Sequence, residues 1–139
     1  MALDAEALHG SLEVVTAKEP LITRRFYEIL FARYPQVRPL FARNAPERQQ
    51  KMLQEAIVAV LDHLDDATWL TETLGAMGAK HLEYGVTEEM YPWVGESLLA
   101  TLAELAGEAW SPRVEKAWTE AIGAIAGLMI AGAKRASAA

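Results

Sequence analysis

Apolar residues recur along this chain at three- and four-residue intervals almost from end to end, and no stretch alternates as a strand would. Asp4 offers an N-cap to a first helix carrying Leu8, Leu12 and Val15 on one face. Pro20 predicts the start of a second, with Phe26, Tyr27, Ile29, Leu30, Phe31 and Tyr34 as its apolar surface and Pro35 as its stop. Gln36 to Phe41, with Pro39 inside, predicts one tight helical turn. Asn44-Ala45-Pro46-Glu47 has the form of a capping box. It opens a third helix with Gln49, Leu53, Ala56, Ile57, Val60 and Leu64 in one stripe, which Asp65-Asp66 end. A fourth starts near Thr68, runs through Leu70, Leu74, Met77 and His81, and stops at Gly85. Thr87 can cap a fifth, with Pro92 in its first turn and Val94, Leu98, Leu99, Leu102 and Leu105 before Gly107. Ser111-Pro112 open the last, through Val114, Trp118, Ile122, Ile125, Leu128 and Met129. Its row Ala124, Gly127, Ala131 predicts a close helix crossing, and residues 134–139 are expected to fray. The pattern is that of one all-α domain over residues 1–139, six to seven helices around a single core.

Composition narrows the chemistry. An apolar fraction of 52% with 23% charged residues is that of a soluble globular protein, not a disordered one. The chain has no cysteine, which removes disulfides, thiolate metal sites and a cysteine nucleophile. A net charge of −6 without a long basic run argues against a nucleic-acid partner. The most apolar stretch, Ala121 to Ala133, is too short to span a bilayer, and no secretory signal is visible after Met1. These features predict a cytoplasmic protein. No glycine-rich phosphate loop, catalytic triad or carboxylate pair stands out.

What remains is His81, which lies within the stripe Leu74, Met77, Gly78, His81, Tyr84. Such a residue is either a core histidine bonded to a carbonyl or a metal ligand. Iron in a porphyrin needs one protein imidazole, whereas zinc takes about three or four ligands. His9 and His63 read as solvated, so zinc has no donor set. Gly78 and Gly75 precede His81 by one and two turns. They mark either close approach by a flat ligand or a loosely ordered helix. Tyr27 and Gln49 are polar residues within apolar faces, serving as rim residues or as donors to a bound gas. The four tryptophans read as packing.

Two stretches match a family. Phe26-Tyr27-Glu28-Ile29-Leu30-Phe31-Ala32, followed by Tyr34-Pro35-Gln36-Val37-Arg38-Pro39-Leu40-Phe41, is the first. Lys80-His81, Tyr84-Gly85-Val86 and Tyr91-Pro92-Trp93-Val94-Gly95 form the second, with Trp118 beyond. In this order they resemble bacterial single-domain globins of the Vitreoscilla haemoglobin and flavohaemoglobin-domain type over nearly the whole chain. The resemblance implies a globin fold with haem b. His81 would be the proximal iron ligand, and Phe41 would pack on the porphyrin face. Tyr27 and Gln49 would be the distal gas-binding pair, with Arg48 and Gln50 as alternatives to Gln49. Leu53, Met77, Lys80, Val86, Tyr91, Val94, Leu98 and Ile125 would line the cofactor. In the family a tyrosine and a glutamate brace the proximal histidine. Tyr91 matches the first, but Ala133 stands where the glutamate would be.

The function so implied is reversible binding of oxygen, and of NO and CO. Nitric oxide dioxygenation with a separate reductase, gas sensing and a haem-free interaction module are the alternatives. A homodimer is compatible with the sequence but not specified by it.

Overall fold

The structure is a computed structural model that describes residues 3–138. It contains α1 (Ala5–Lys18), α2 (Ile22–Arg33), α3 (Pro46–Asp62), α4 (Ala67–Glu83), α5 (Met90–Ala106) and α6 (Pro112–Ala138). Short 3-10 turns at Pro35–Phe41 and Gly107–Ala109 join them, and no strand occurs among the described residues. The all-α expectation therefore holds. No helix is long and apolar enough to cross a membrane.

Local chemistry starts α1 and α6 where the sequence marks them, whereas α5 begins after Glu89 without a side-chain cap and not at Thr87. The Asp4 carboxylate accepts from Ala7 N at 3.2 Å, and Ser111 Oγ accepts from Val114 N at 3.2 Å. Each satisfies one of the amide donors left free at a helix start. Gly85 ends the α4 region at φ +96°, a backbone conformation that side-chain-bearing residues rarely adopt.

Several boundaries differ from expectation, each for an identifiable reason. Pro20 lies outside α2, because Leu21 leaves the helical region (φ −113°, ψ 81°) and acts as N-cap. The capping box at Asn44 does not form. Ala45 is the N-cap, without a side-chain bond, because the Asn44 amide turns to Gln49 Oε1 at 3.3 Å. Pro46 at the first helical position has no N–H to satisfy, which lessens the need for a side-chain cap. Asp66 is the N-cap of α4, accepting from Trp69 N at 3.0 Å, whereas α3 has already ended at Asp62. Helical structure continues to Ala138 where fraying was expected from Lys134. Lys134 pairs with Glu88 at 3.0 Å, which ties that turn to the α4–α5 connection.

The largest core cluster joins α1 to α5 and α6 through Leu8, Leu12, Val15, Leu102, Trp118 and Ala121. Trp118 Nε1 donates to Ser11 Oγ at 2.8 Å, and Ser11 donates to Ala7 O at 2.6 Å, so the buried polar pair is satisfied. Two smaller clusters matter for the site: Phe26, Tyr27, Leu30 and Val37, and Val60, Leu74 and Met129.

The close crossing falls elsewhere than predicted. Ala124 and Gly127 are exposed, and a methyl group on Gly127 would meet nothing within 4 Å. Contact of backbone on backbone occurs between α4 and α6. A Cβ on Gly132 would lie 2.1 Å from Gly75 O, and one on Gly78 1.8 Å from Met129 O. Neither a flat ligand nor loose order accounts for Gly78: with Gly132 it admits the other helix, whereas a Cβ on Gly75 would meet only the end of the Arg135 side chain at 2.8 Å and Gly132 Cα at 3.8 Å. Gly127→Ala is expected to stabilise the fold by about 0.5–1 kcal/mol, because it removes backbone entropy from an open helical position. An unchanged or lower Tm would show that this face is covered.

Candidate functional site

The α2 helix turns Phe26, Tyr27 and Leu30 inward. Tyr27 packs edge-on against Phe26 at 5.0 Å and Phe41 at 5.3 Å, and tilted against Phe31 at 5.7 Å. Phe41 reaches this cluster from the 3-10 turn that follows Pro35. Gln49 enters from the first turns of α3, and its Nε2 donates to Tyr27 Oη at 3.1 Å. The Gln49 Oε1 in turn accepts from Asn44 Nδ2. Gln49 is thus oriented at both ends of its amide. Arg48 is exposed, and Gln50 is engaged only through its backbone carbonyl, which accepts from Thr23 Oγ1 at 2.7 Å. Of the three candidates, Gln49 is the one whose side chain meets Tyr27.

Burial pushes the Tyr27 hydroxyl up to about 12, outweighing the opposite pull of the Gln49 hydrogen bond. The phenol is therefore neutral throughout the physiological range. It accepts from Gln49, and its own proton has no protein acceptor among the described residues. That leaves one donor in an aromatic pocket. The shift also carries a stability consequence: Tyr27 supports folding below the unfolded phenol range near pH 10 and withdraws that support as pH rises toward 12.

His81 sits in the last turn of α4. Its Nδ1 lies 2.7 Å from Met77 O, and the neutral tautomer with Nδ1 protonated makes this bond, leaving the Nε2 lone pair for another partner. The ring is half-buried. Past it the chain turns at Tyr84-Gly85, and Val86 N donates to His81 O at 3.0 Å. This turn meets the α2–α3 corner. The Arg43 guanidinium lies 4.3 Å over the Tyr84 ring, and a Cβ on Gly85 would stand 3.6 Å from Leu40.

The apolar candidates share one property. Phe41, Leu53, Met77, Val86, Tyr91, Val94, Leu98 and Ile125 are all half-buried, neither sealed in the core nor exposed. Leu53, Val94 and Leu98 pack with the Tyr27 cluster, and Met77, Tyr91 and Ile125 with the Val60–Leu74–Met129 cluster. Helix α5 links the two, carrying Tyr91, Val94 and Leu98 at helical spacing. Half-covered apolar side chains in both clusters, a hydroxyl donor on α2 and an imidazole at the end of α4 whose Nε2 has no protein partner among the described residues suit a flat apolar group held through one ligand bond.

Other expectations fare differently. Lys80 points outward, exposed and paired with Glu83 at 3.4 Å. Tyr91 makes no side-chain hydrogen bond among the described residues, and burial raises its hydroxyl. The His81 Nδ1 is braced by a peptide carbonyl instead. His63, expected in solvent, is half-buried and stacks on Trp69 at 3.8 Å with Nδ1 against Ala59 O. His9 is exposed. No group of three or more His, Asp or Glu that would hold a metal ion occurs among the described residues. Asn44 and Arg43 were missed. Asn44 looked like a helix cap, and nothing local marks Arg43 as packing on Tyr84.

The comparisons with known proteins agree with this architecture. The model of the Globin family matches residues 24–129. A flavohemoprotein of Rhodopirellula baltica is 37% identical over 119 residues, which is 84% of this chain and 29% of that protein. The chain thus spans under a third of the length of such relatives. A bacterial globin from Campylobacter jejuni superposes with a TM-score of 0.81 at 27% identity, covering 97% of each chain. An engineered carbene transferase from Rhodothermus marinus, made from a protein provisionally assigned as a nitric oxide dioxygenase, gives 0.82 at 28% identity, covering 96% of this chain and 93% of its own. With its helices, its site geometry and these matches in agreement, the chain belongs to the globin family.

Proposed function

We propose that this chain is a haem globin that binds oxygen reversibly, and NO and CO at the same place. The observation that carries the reading is the Gln49–Tyr27 hydrogen bond at 3.1 Å, which holds a neutral, buried hydroxyl with its proton uncommitted. His81 would hold the cofactor through Nε2, with Phe41, Leu53, Met77, Val94, Leu98 and Ile125 covering its faces. The chain has no cysteine to form a thioether, and we read the group as haem b, which would be held by one ligand bond and apolar contact. When bound, the haem supplies a ferrous iron able to take up a diatomic gas. Tyr27 then supplies the donor that distinguishes oxygen from CO, because oxygen gains more negative character and strengthens the hydrogen bond. Gln49 fixes the direction of that donor. At His81, a neutral carbonyl meets Nδ1 where a carboxylate would make the imidazole more electron-donating. That favours gas binding over oxygen activation.

Tyr27→Phe is the test. Loss of a charge-assisted hydrogen bond worth about 1.5–3 kcal/mol should raise the oxygen dissociation rate about ten- to a hundredfold, with CO dissociation nearly unchanged. Equal oxygen rates in variant and parent would remove Tyr27 from the mechanism. A second reading, nitric oxide dioxygenation with electrons from a separate reductase, is favoured by the likeness to the Rhodothermus marinus protein and the flavohemoproteins. Sustained nitrate formation from NO with a reductase present would establish it.

A further inference from the structure

We infer that the corner between α2 and α3 is a docking surface for an acidic redox protein that delivers electrons to the site. This rests on the haem-globin reading above. Residues 33–51 carry Arg33, Arg38, Arg43, Arg48 and Lys51 against one acid, Glu47. The segment is therefore +4 within a chain of −6, which leaves −10 on everything else. All five cations are exposed, and none forms an ion pair among the described residues. Elsewhere most cations are neutralised: Arg25 by Glu104, Arg113 by Asp4, Lys134 by Glu88. Near Arg33 stand Glu28 and Glu104, both already paired with Arg25, and Glu96 accepts from the Tyr34 hydroxyl.

The collar sits where an electron donor would need to be. Phe41 and Gln49 belong to the same segment. Arg43 lies over Tyr84, three residues past His81, and Leu40 lies against Gly85. A partner seated here meets the rim of the site itself. Charge also selects the kind of partner. Nucleic acid or an anionic membrane extends far beyond a patch of this size and would be repelled by the acidic remainder of the chain. A compact acidic protein can meet the collar alone, and such complementarity acts mainly on the rate of encounter.

The test uses holoprotein and a reduced acidic flavodoxin as probe, with a basic cytochrome c as the charge control. Calorimetric affinity and the rate of haem reduction are measured at about 10 mM and about 150 mM ionic strength, where screening lengths differ severalfold. Flavodoxin is expected to dock and reduce at least about tenfold better at low salt, as steered encounters do. Arg33→Glu/Lys51→Glu brings the segment from +4 to neutral and touches no residue of the site. It should abolish most of that salt dependence while the Soret and CO spectra stay unchanged. Wild-type docking that is insensitive to salt, or retained in the variant, overturns the inference. So does tighter binding of cytochrome c, duplex DNA or phosphatidylserine vesicles than of flavodoxin. Absence of a Soret band in the parent would instead sink the haem reading, while calorimetry still reports on docking.

Discussion

Gly78→Ala is expected to lower the melting temperature by about 10 °C. The added Cβ would lie 1.8 Å from Met129 O and 2.5 Å from Met129 C. Both atoms are backbone, inside a 27-residue helix, so no side chain can swing aside. Helices α4 and α6 must move apart, and overpacking of this kind costs about 3 kcal/mol. For a chain of this length that is several degrees per kcal/mol. Gly75→Ala is the control. There the nearest atom is Arg135 Nη2 at 2.8 Å, the far end of a flexible side chain, and Gly132 Cα follows at 3.8 Å. Its Tm should change little. Thermal unfolding followed by circular dichroism separates the two, and equal melting of Gly78→Ala and parent would refute the crossing.

His81→Ala should abolish specific haem retention without unfolding the chain. The imidazole is half-buried, and its one protein hydrogen bond goes to a carbonyl of its own helix, so truncation leaves the other helices in place. Even the hydrogen-bonding partners of metal ligands are worth about 10- to 100-fold in affinity, so loss of the ligand should reduce retained haem at least that far. The check is Soret absorbance per mole of protein after gel filtration, with far-ultraviolet circular dichroism alongside. Added imidazole should restore the Soret band in His81→Gly. Full haem content in His81→Ala would assign the ligand elsewhere.

Much of this was readable before any coordinates. Helical periodicity placed all six helices, because burial of one face is a property of each segment by itself. Tyr27 and His81 stood out because polar residues interrupt apolar stripes, and Phe41 was marked only by the match to a family. Properties that depend on two segments meeting were not readable. Gly75 and Gly78 advertised a close approach but not what approaches, and the row at Ala124 and Gly127 looked equally suited to a crossing. Asn44 carries a side chain that either caps α3 or orients Gln49, and local sequence does not choose between them. Tyr91 has the residue type of a brace, yet the His81 Nδ1 is already satisfied one turn back along α4. The sequence spacing of Arg33, Arg38, Arg43, Arg48 and Lys51 hid a basic surface, since no two of them are adjacent.

The bond between Ser11 and Trp118 joins residues 107 apart in sequence. Helix α1 buries Leu8, Leu12 and Val15 against α5 and α6, elements from the far end of the chain. During synthesis α1 is made before α5 and α6 and waits for them. In that interval its apolar face is open to other chains, and closing so long a loop is slow. Soluble yield in cells is therefore expected to depend on how fast α6 follows.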